Sequence, residues 1–242
     1  EIQKAIELGM DELCFTEHSD YDVPTVVNCD YDAYFKEMEE MKEKYKGQIT
    51  LKTGIEFGIQ VHTTKAYEET FGQYPFDFVI FSCHQVENKE YWRQEPQKGK
   101  TQLEYNRRYY QEILDVVKAY KDYSILGHLD VIKRYDLNGE IELEKIKDLI
   151  EQIFEVVIAD GKGIELNTSS RAYHLKSLMP SREILELYHD MGGKIITIGS
   201  DAHNADRVGD RVMESQKILK EIGFNGIYTF DQMKPKFHEF KF

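Results

Sequence analysis

Short apolar runs alternate with longer amphipathic stretches along the whole chain. The opening residues place Ile2, Ala5, Ile6 and Met10 on one helical face. Apolar runs with the length of buried strands follow at 13–16, 49–56, 76–83, 124–127, 163–167, 194–199 and 226–230. Helical periodicity is found at 32–46, 62–71, 102–120, 143–160, 181–191 and 213–222. Strands that alternate with helices in this way predict parallel strands joined by right-handed crossovers, and therefore an α/β fold.

No linker, low-complexity tract or internal repeat divides these elements. Seven strand units in one uninterrupted series favour a single barrel-like domain over residues 1–242, rather than an open doubly wound sheet. The chain contains neither Gly-x-Gly-x-x-Gly nor a P-loop, so we do not expect it to bind nucleotides through a glycine-rich loop.

Composition narrows the range of partners. The chain has 31 Lys+Arg and 44 Asp+Glu among 242 residues, a formal net charge of −13. This charge disfavours nucleic acids and anionic membranes, although a few local positive groups can still hold a small anionic substrate. Three scattered cysteines indicate no disulfide framework, and no apolar run reaches the ~20 residues of a membrane span. We therefore expect a cytoplasmic protein, and the sequence leaves its oligomeric state open.

Candidate metal ligands follow the predicted strands at their carboxyl ends, where the functional residues of parallel barrels gather. Four of the eight histidines and two carboxylates lie there, namely His18, Glu56, His84, His128, Asp201 and His203. Any one of them alone would be most simply a hydrogen-bonded residue at a strand end. Together on one rim they indicate a centre of nitrogen and oxygen ligands, suited to zinc, manganese or iron. Since six side chains exceed what one tetrahedral ion uses, we expect two or three divalent ions.

These motifs resemble those of a known family. In chain order they are Thr16-Glu17-His18, Gly54-Ile55-Glu56, Ser82-Cys83-His84, Gly127-His128-Leu129-Asp130 and Gly199-Ser200-Asp201-Ala202-His203. The series resembles the polymerase-and-histidinol-phosphatase (PHP) superfamily, and it is most similar to the monofunctional histidinol-phosphate phosphatases. The resemblance implies a distorted (β/α)7 barrel with three metal ions. It also implies hydrolysis of L-histidinol phosphate to L-histidinol and phosphate, in histidine biosynthesis, by a metal-bridging hydroxide.

The resemblance further assigns roles to individual residues. Glu56 and Asp201 would serve the first metal, with Glu56 bridging to a second. His84 and His128 would hold that second metal, and His18 and His203 the third. Arg171 and Arg207 match positions that clamp the phosphate, and Asp130 would support His128. Asp201 and His203 are the candidate catalytic side chains, and the acid that protonates the leaving alkoxide stays open between them and a metal-bound water.

One feature departs from the family pattern. The family opens with a strand that ends in His-x-His, and this chain contains no His-x-His. It begins instead in what the pattern predicts to be the following helix. We therefore expect that the first strand, roughly 20 residues with its loop, is missing from this chain. A polypeptide that truly started at Glu1 would be expected to have damaged first and third metal sites and little phosphatase activity.

Two other functions fit the same residues. One is a different PHP phosphoesterase, acting on phosphotyrosine in proteins, on nucleotides or on sugar phosphates, or a nuclease. The other is a protein that binds metal or phosphate without catalysis. Segment 87–102, which follows His84, is where we expect the shape of the substrate pocket to be set.

Overall fold

The computed structural model describes residues 1–242 as a curled sheet of six parallel strands flanked by seven α-helices. The helices are α1 (Ile2–Glu7), α2 (Tyr31–Lys44), α3 (Thr64–Phe71), α4 (Gln102–Ala119), α5 (Lys147–Ala159), α6 (Arg182–Asp190) and α7 (Val212–Ile222). The strands are β1 (Glu12–Ser19), β2 (Thr50–Gly58), β3 (Phe78–Ser82), β4 (Gln85–Val86), β5 (Lys89–Glu90), β6 (Ile125–Leu126), β7 (Gly163–Asn167), β8 (Ile196–Gly199), β9 (Gly226–Asp231) and β10 (Lys234–Glu239). The sheet order is β1-β2-β3-β6-β7-β8 with every pair parallel, so the predicted α/β fold class is confirmed.

Local sequence explains where the main helices begin. The Thr101 hydroxyl accepts a hydrogen bond from the backbone N–H of Glu104, whose carboxylate in turn accepts from the Thr101 N–H. This capping box fixes the start of α4. Asp30 caps α2 through the Ala33 N–H. None of the helices combines the length and the apolar character that a transmembrane span requires.

The sheet curls so strongly that its two edges approach each other. Neighbouring strands lie about 4.8 Å apart, so the edge strands β1 and β8 of a flat sheet would be roughly 24 Å apart. Instead, the ring of His18 near the end of β1 lies 5.8 Å from the ring of His203, just after β8. A hydrophobic cluster joins the same edges, because Val208 packs with Ile2 of α1 and Leu51 of β2. The result is a half-barrel whose carboxyl-terminal rim encloses a small space.

The predicted strand at 226–230 forms, but it lies outside the parallel sheet. β9 pairs antiparallel with β10, which the sequence pattern did not predict. Gln232 and Met233 form the turn between them at positive φ, 48° and 65°. Positive φ at both central residues is the backbone of a type I′ hairpin turn, which usually carries Asn or Gly. Since Gln-Met carries no such signal, the reversal of the chain was not visible in the sequence.

A second small hairpin, β4 with β5, was also absent from the prediction. Its turn residues Glu87 and Asn88 again have positive φ, 56° and 58°. The hairpin starts directly after His84 and carries the chain to the rim of the half-barrel. Segment 87–102 therefore does lie beside the candidate site, as expected.

Tyr67 of α3 ties the carboxyl ends of β1 and β2 together. It is fully buried, and its hydroxyl contacts the carbonyl oxygens of Ser19 at 2.8 Å and Gly58 at 2.9 Å. The same oxygen accepts a hydrogen bond from the Tyr21 N–H at 2.9 Å. By contrast, the hydroxyl of Tyr123 is equally buried and has no hydrogen-bond partner.

We predict that Tyr67→Phe lowers the free energy of unfolding by about 1–3 kcal/mol, because it leaves buried backbone groups without a partner. Tyr123→Phe is the matched control. It removes the same atom from an equally buried ring, and its stability should stay within about 0.5 kcal/mol of the parent or rise. Urea denaturation of both variants measures the difference. Equal losses in the two variants would contradict the role assigned to the Tyr67 hydroxyl.

Candidate metal centre

Glu56 stands at the centre of the site, in the second half of β2. Its neighbours Ile55 and Phe57 point into the hydrophobic core, so alternation along the strand turns Glu56 to the inside of the curl. The parallel register places His18 of β1 directly beside Glu56. The carboxylate is only 6% exposed and therefore needs compensating partners.

Three imidazoles and one hydroxyl supply those partners. Oε1 of Glu56 lies 2.9 Å from Nε2 of His128 and 3.1 Å from Nε2 of His84, and it accepts a hydrogen bond from the Ser82 hydroxyl at 2.7 Å. Oε2 lies 3.4 Å from Nε2 of His18. Each imidazole comes from the carboxyl end of a different strand, so one carboxylate connects four strands of the sheet.

The close approach of the imidazoles and carboxylates shifts the pKa values of Glu56 and His84. Burial alone would raise the pKa of Glu56, but the imidazoles of His18, His128 and His84 lower it well below its ordinary value. Burial opposes the protonated form of His84, yet the carboxylates of Asp20 and Glu56 raise its pKa well above the ordinary value. The protein therefore holds concentrated negative charge at the base of the site and orients nitrogen atoms toward it.

Asp20 orients the ring of His84. Its Oδ1 lies 2.7 Å from Nδ1 of His84, which leaves Nε2 free to face Glu56. A carboxylate on the far nitrogen of a histidine is the usual partner of a metal-binding imidazole. Gly58 makes room for this contact, since a Cβ at that position would lie 1.9 Å from Oδ1 of Asp20. Asp20 was visible in the sequence two residues after His18, but its contact with His84 was not predicted.

The donor set fits a divalent metal ion. The ligand atoms of Glu56, His84 and His128 lie within 4.8 Å of one another, and so do those of His18, Asp20 and His84. Nitrogen and carboxylate oxygen donors of this kind suit zinc. In addition, the buried Nδ1 of His128 has no protein partner. These two groups contain four of the six predicted ligands, namely His18, Glu56, His84 and His128, together with Asp20, whereas Asp201 and His203 belong to neither group.

Asp201 lies on the other side of the site and binds Arg134. Its Oδ2 accepts hydrogen bonds from Arg134 at 2.7 Å and from the Ser169 hydroxyl at 3.2 Å. Burial and Glu56 raise the pKa of Asp201, but His128 and Arg134 outweigh them and hold it below its ordinary value. The residue has a left-handed backbone, with φ of 49°, which is uncommon for a residue with a side chain.

The four predicted histidines form a row along the rim. Successive ring centroids lie 5.3 Å apart from His128 to His84, 5.4 Å from His84 to His18, and 5.8 Å from His18 to His203. His203 is the most open of them, with a side chain 63% exposed, and its Nδ1 lies 3.2 Å from the backbone oxygen of Asp201. The structure thus brings together all six residues that the sequence placed at strand ends.

The two arginines expected to bind phosphate do not line the cavity beside the cluster. Arg171 is exposed, and Arg207 donates to the backbone oxygen of Ser200 while its own Nε is buried without a partner. Arg134 is the arginine that does line the cavity. It lies in the short 3₁₀ helix Val131–Arg134, where no sequence signal marked it.

Asp130 does not contact His128, contrary to the expectation that it would support that ring. Its Oδ2 binds the Lys133 ammonium at 2.8 Å and the Ser181 N–H at 3.0 Å. The backbone N–H of His128 donates instead to Glu165 of β7 at 3.0 Å. Glu165 is buried, and its importance was not apparent from its place inside a short apolar run.

A cavity of about 250 Å³ opens beside the cluster, and its lining combines two kinds of side chain. The polar ones are Asp20, Asp201, Arg134 and the four histidines, and the apolar and aromatic ones include Val26, Tyr91, Trp92, Val131, Ile132, Tyr135 and Tyr173. A small molecule with one anionic and one apolar part matches this mixed lining.

A curled parallel sheet with imidazoles and carboxylates at the carboxyl ends of its strands is typical of α/β metal-dependent enzymes. The comparisons with known proteins identify the family within that class. The PHP domain profile matches residues 1–169, and the chain belongs to the PHP family. It is 31% identical to the histidinol-phosphatase of Lactococcus lactis subsp. lactis over 238 residues, which cover 96% of this chain and 88% of that protein.

Two solved structures are also similar. One is the histidinol phosphate phosphatase of the same Lactococcus lactis, complexed with zinc, L-histidinol and phosphate. It superposes with a TM-score of 0.88 at 29% identity, covering 97% of this chain and 90% of the other. The other is a putative histidinol phosphatase from Listeria monocytogenes, with a TM-score of 0.72 at 17% identity over 88% of this chain and 91% of that chain, and it supports the fold alone.

We predict that Asp20→Asn weakens zinc binding by about 10- to 100-fold, because a neutral amide makes His84 a poorer ligand. Competition with a chromophoric chelator measures the affinity. Asp22→Asn is the control, since the Asp22 side chain is 66% exposed and lies outside the cluster. Zinc affinities that are the same in both variants would show that Asp20 does not support the metal centre.

Proposed function

We propose that this protein is a metal-dependent phosphomonoesterase that hydrolyses L-histidinol phosphate to L-histidinol and phosphate, a step of histidine biosynthesis. The observation that carries the proposal is the convergence of three imidazoles on the buried carboxylate of Glu56, at the base of a cavity that also contains Arg134. The names of the relatives supply the substrate, and the zinc, L-histidinol and phosphate in the Lactococcus lactis complex are consistent with it.

The proposed metal ligands are His18, Glu56, His84, His128, Asp201 and His203. We propose that they hold two or three divalent ions, with zinc favoured and manganese or iron as the alternatives. Bound metal would supply Lewis acidity and an activated water at neutral pH. The protein's own contribution is to fix the ligand atoms in advance, through the strand register and the contact between Asp20 and His84.

Arg134 is suited to bind the phosphoryl oxygens. Its side chain is 6% exposed, and its Nη2 donates hydrogen bonds to Asp201 and Ser169, whereas Nη1 makes no hydrogen bond to the protein. A planar guanidinium that lines the cavity and keeps one nitrogen unpaired matches the geometry of a phosphate. The substrate can therefore gain hydrogen bonds here without breaking the contact that positions the arginine.

Asp201 and His203 are the side chains that we propose for the catalytic step. His128 and Arg134 hold the pKa of Asp201 below its ordinary value, and His203 lies next to Asp201 at the open end of the row of imidazoles. Since both are also proposed metal ligands, the source of the proton for the leaving alkoxide stays open between them and a metal-bound water.

We predict that the protein releases phosphate from L-histidinol phosphate with a higher kcat/KM than from p-nitrophenyl phosphate, nucleotides, sugar phosphates or a phosphotyrosine peptide. Chelation should abolish this activity, and zinc should restore it. Glu56→Gln should lose zinc and turnover together, because the carboxylate connects all three imidazoles. If another phosphomonoester of the panel is hydrolysed with a higher kcat/KM, it replaces L-histidinol phosphate as the proposed substrate. If phosphate is released from none of them, the remaining candidate is a protein that binds metal or phosphate without catalysis.

We further predict that Arg134→Lys lowers kcat/KM by about 100-fold, because an ammonium keeps the charge but loses the planar donors. Arg107→Lys is the control, since Arg107 pairs with Asp148 on the surface. Arg171→Gln tests the expectation drawn from the family resemblance and should change kcat/KM less than twofold. If Arg171→Gln is instead the damaging change, phosphate is bound from the Arg171 side of the site.

A further inference from the structure

The cavity has aromatic lining that phosphate hydrolysis does not need. Trp92, the only tryptophan of the chain, lines the cavity and is 42% exposed. Its ring packs edge-on against Tyr135, with 6.1 Å between ring centroids and 61° between planes. A large aromatic ring that is half in solvent, beside a cavity, leaves a face open for a flat ligand group.

The protein holds Trp92 and Tyr135 at a fixed separation. The Nε2 of Gln94 donates to the carbonyl oxygens of Tyr91 at 3.2 Å and Tyr135 at 2.6 Å. The Nε2 of Gln97 reaches the same two oxygens, at 3.1 Å and 3.4 Å. Two amide side chains thus tie the turn that carries Trp92 to the segment that carries Tyr135. A preorganised aromatic face costs a ligand little to use.

Among the other aromatic rings that line the cavity, two are already engaged. The guanidinium of Arg134 covers one face of Tyr173, 4.0 Å from its centroid. Tyr91 is buried in the core at 2% exposure. Tyr135 and Trp92 line the same cavity as Arg134, so an ester whose phosphate is held at Arg134 has its leaving group in a space that these two rings border.

We propose that Trp92, supported by Tyr135, is a specificity-determining residue that stacks on the flat ring of the substrate's leaving group. This inference rests on the proposed function, in which that ring is the imidazole of L-histidinol phosphate. A protonated imidazole is favoured further, because the face of an indole attracts cations. The ring contact is the same before and during hydrolysis, so it acts on KM and leaves kcat unchanged.

The kinetic test compares two phosphomonoesters in the zinc-loaded enzyme. For L-histidinol phosphate, Trp92→Leu should raise KM roughly tenfold, with kcat within twofold. For glycerol 2-phosphate, which has no ring, kcat/KM should not change. Trp92→Phe keeps a flat ring and should restore most of the affinity. Leu103→Ala is the matched control, since Leu103 is also 42% exposed but lies away from the cavity.

The fluorescence of the single tryptophan gives a readout that does not depend on turnover. L-Histidinol should change the emission of the zinc-loaded protein in a saturable manner. L-Alaninol, an amino alcohol without a ring, should not. Inhibition of the phosphatase by L-histidinol without any change in emission would place the imidazole elsewhere and overturn the proposal.

Different experimental results would contradict the proposed function and the proposed role of Trp92. If the parent protein does not hydrolyse L-histidinol phosphate, the proposed function is wrong, whatever the variants do. If the parent does hydrolyse it, equal effects of Trp92→Leu on both phosphomonoesters overturn the role of Trp92 alone. A loss that appears only with L-histidinol phosphate and is rescued by phenylalanine supports it.

Discussion

The structure depends on the hydrogen-bonding and charged partners that stabilise one buried carboxylate. Glu56 lies inside the curl of the sheet, where an unpaired charge would be strongly unfavourable. Its partners come from the carboxyl ends of β1, β3 and β6, so they meet only when these strands are in the correct register. The same contacts that satisfy the charge also assemble the metal-binding groups. Fold and site are therefore not separable, because an error in register would leave both the carboxylate and the imidazoles without partners.

The charge distribution reconciles an acidic protein with an anionic substrate. The net charge of −13 belongs to the whole surface, whereas the cavity combines Asp20 and Asp201 with four imidazoles and the guanidinium of Arg134. Divalent ions at the proposed metal centre would offset the carboxylates there. Long-range steering of an anion by such a protein would be weak at physiological ionic strength, since screening acts over about 8 Å. Affinity must then arise from short-range contacts, and the aromatic lining provides contacts that are independent of charge.

The sequence alone predicted the features that depend on the local pattern of apolar and polar residues. Alternation and strand ends identified His18, Glu56, His84 and His128, because parallel strands bring their carboxyl ends to one edge. Arg134 could not be found in this way, since it lies in a short 3₁₀ helix and approaches Asp201 only through the curl of the sheet. Family resemblance favoured Arg171, which the structure leaves exposed. The β9–β10 hairpin was missed because its positive-φ turn, Gln232-Met233, contains neither Asn nor Gly. The β4–β5 turn does contain Asn88, but strands of two residues each are too short to show an alternating pattern.

The curl of the sheet has a mechanical consequence. His18 lies on one edge strand and His203 in the loop that follows the other, so the width of the site depends on the curvature of the half-barrel as well as on that loop. That curvature is maintained in part by the hydrophobic cluster of Ile2, Leu51 and Val208. Removing a methyl group from this cluster would therefore change the distance between the two imidazoles without altering a ligand. Natural variation in this cluster would then tune the geometry of the metal centre from a distance.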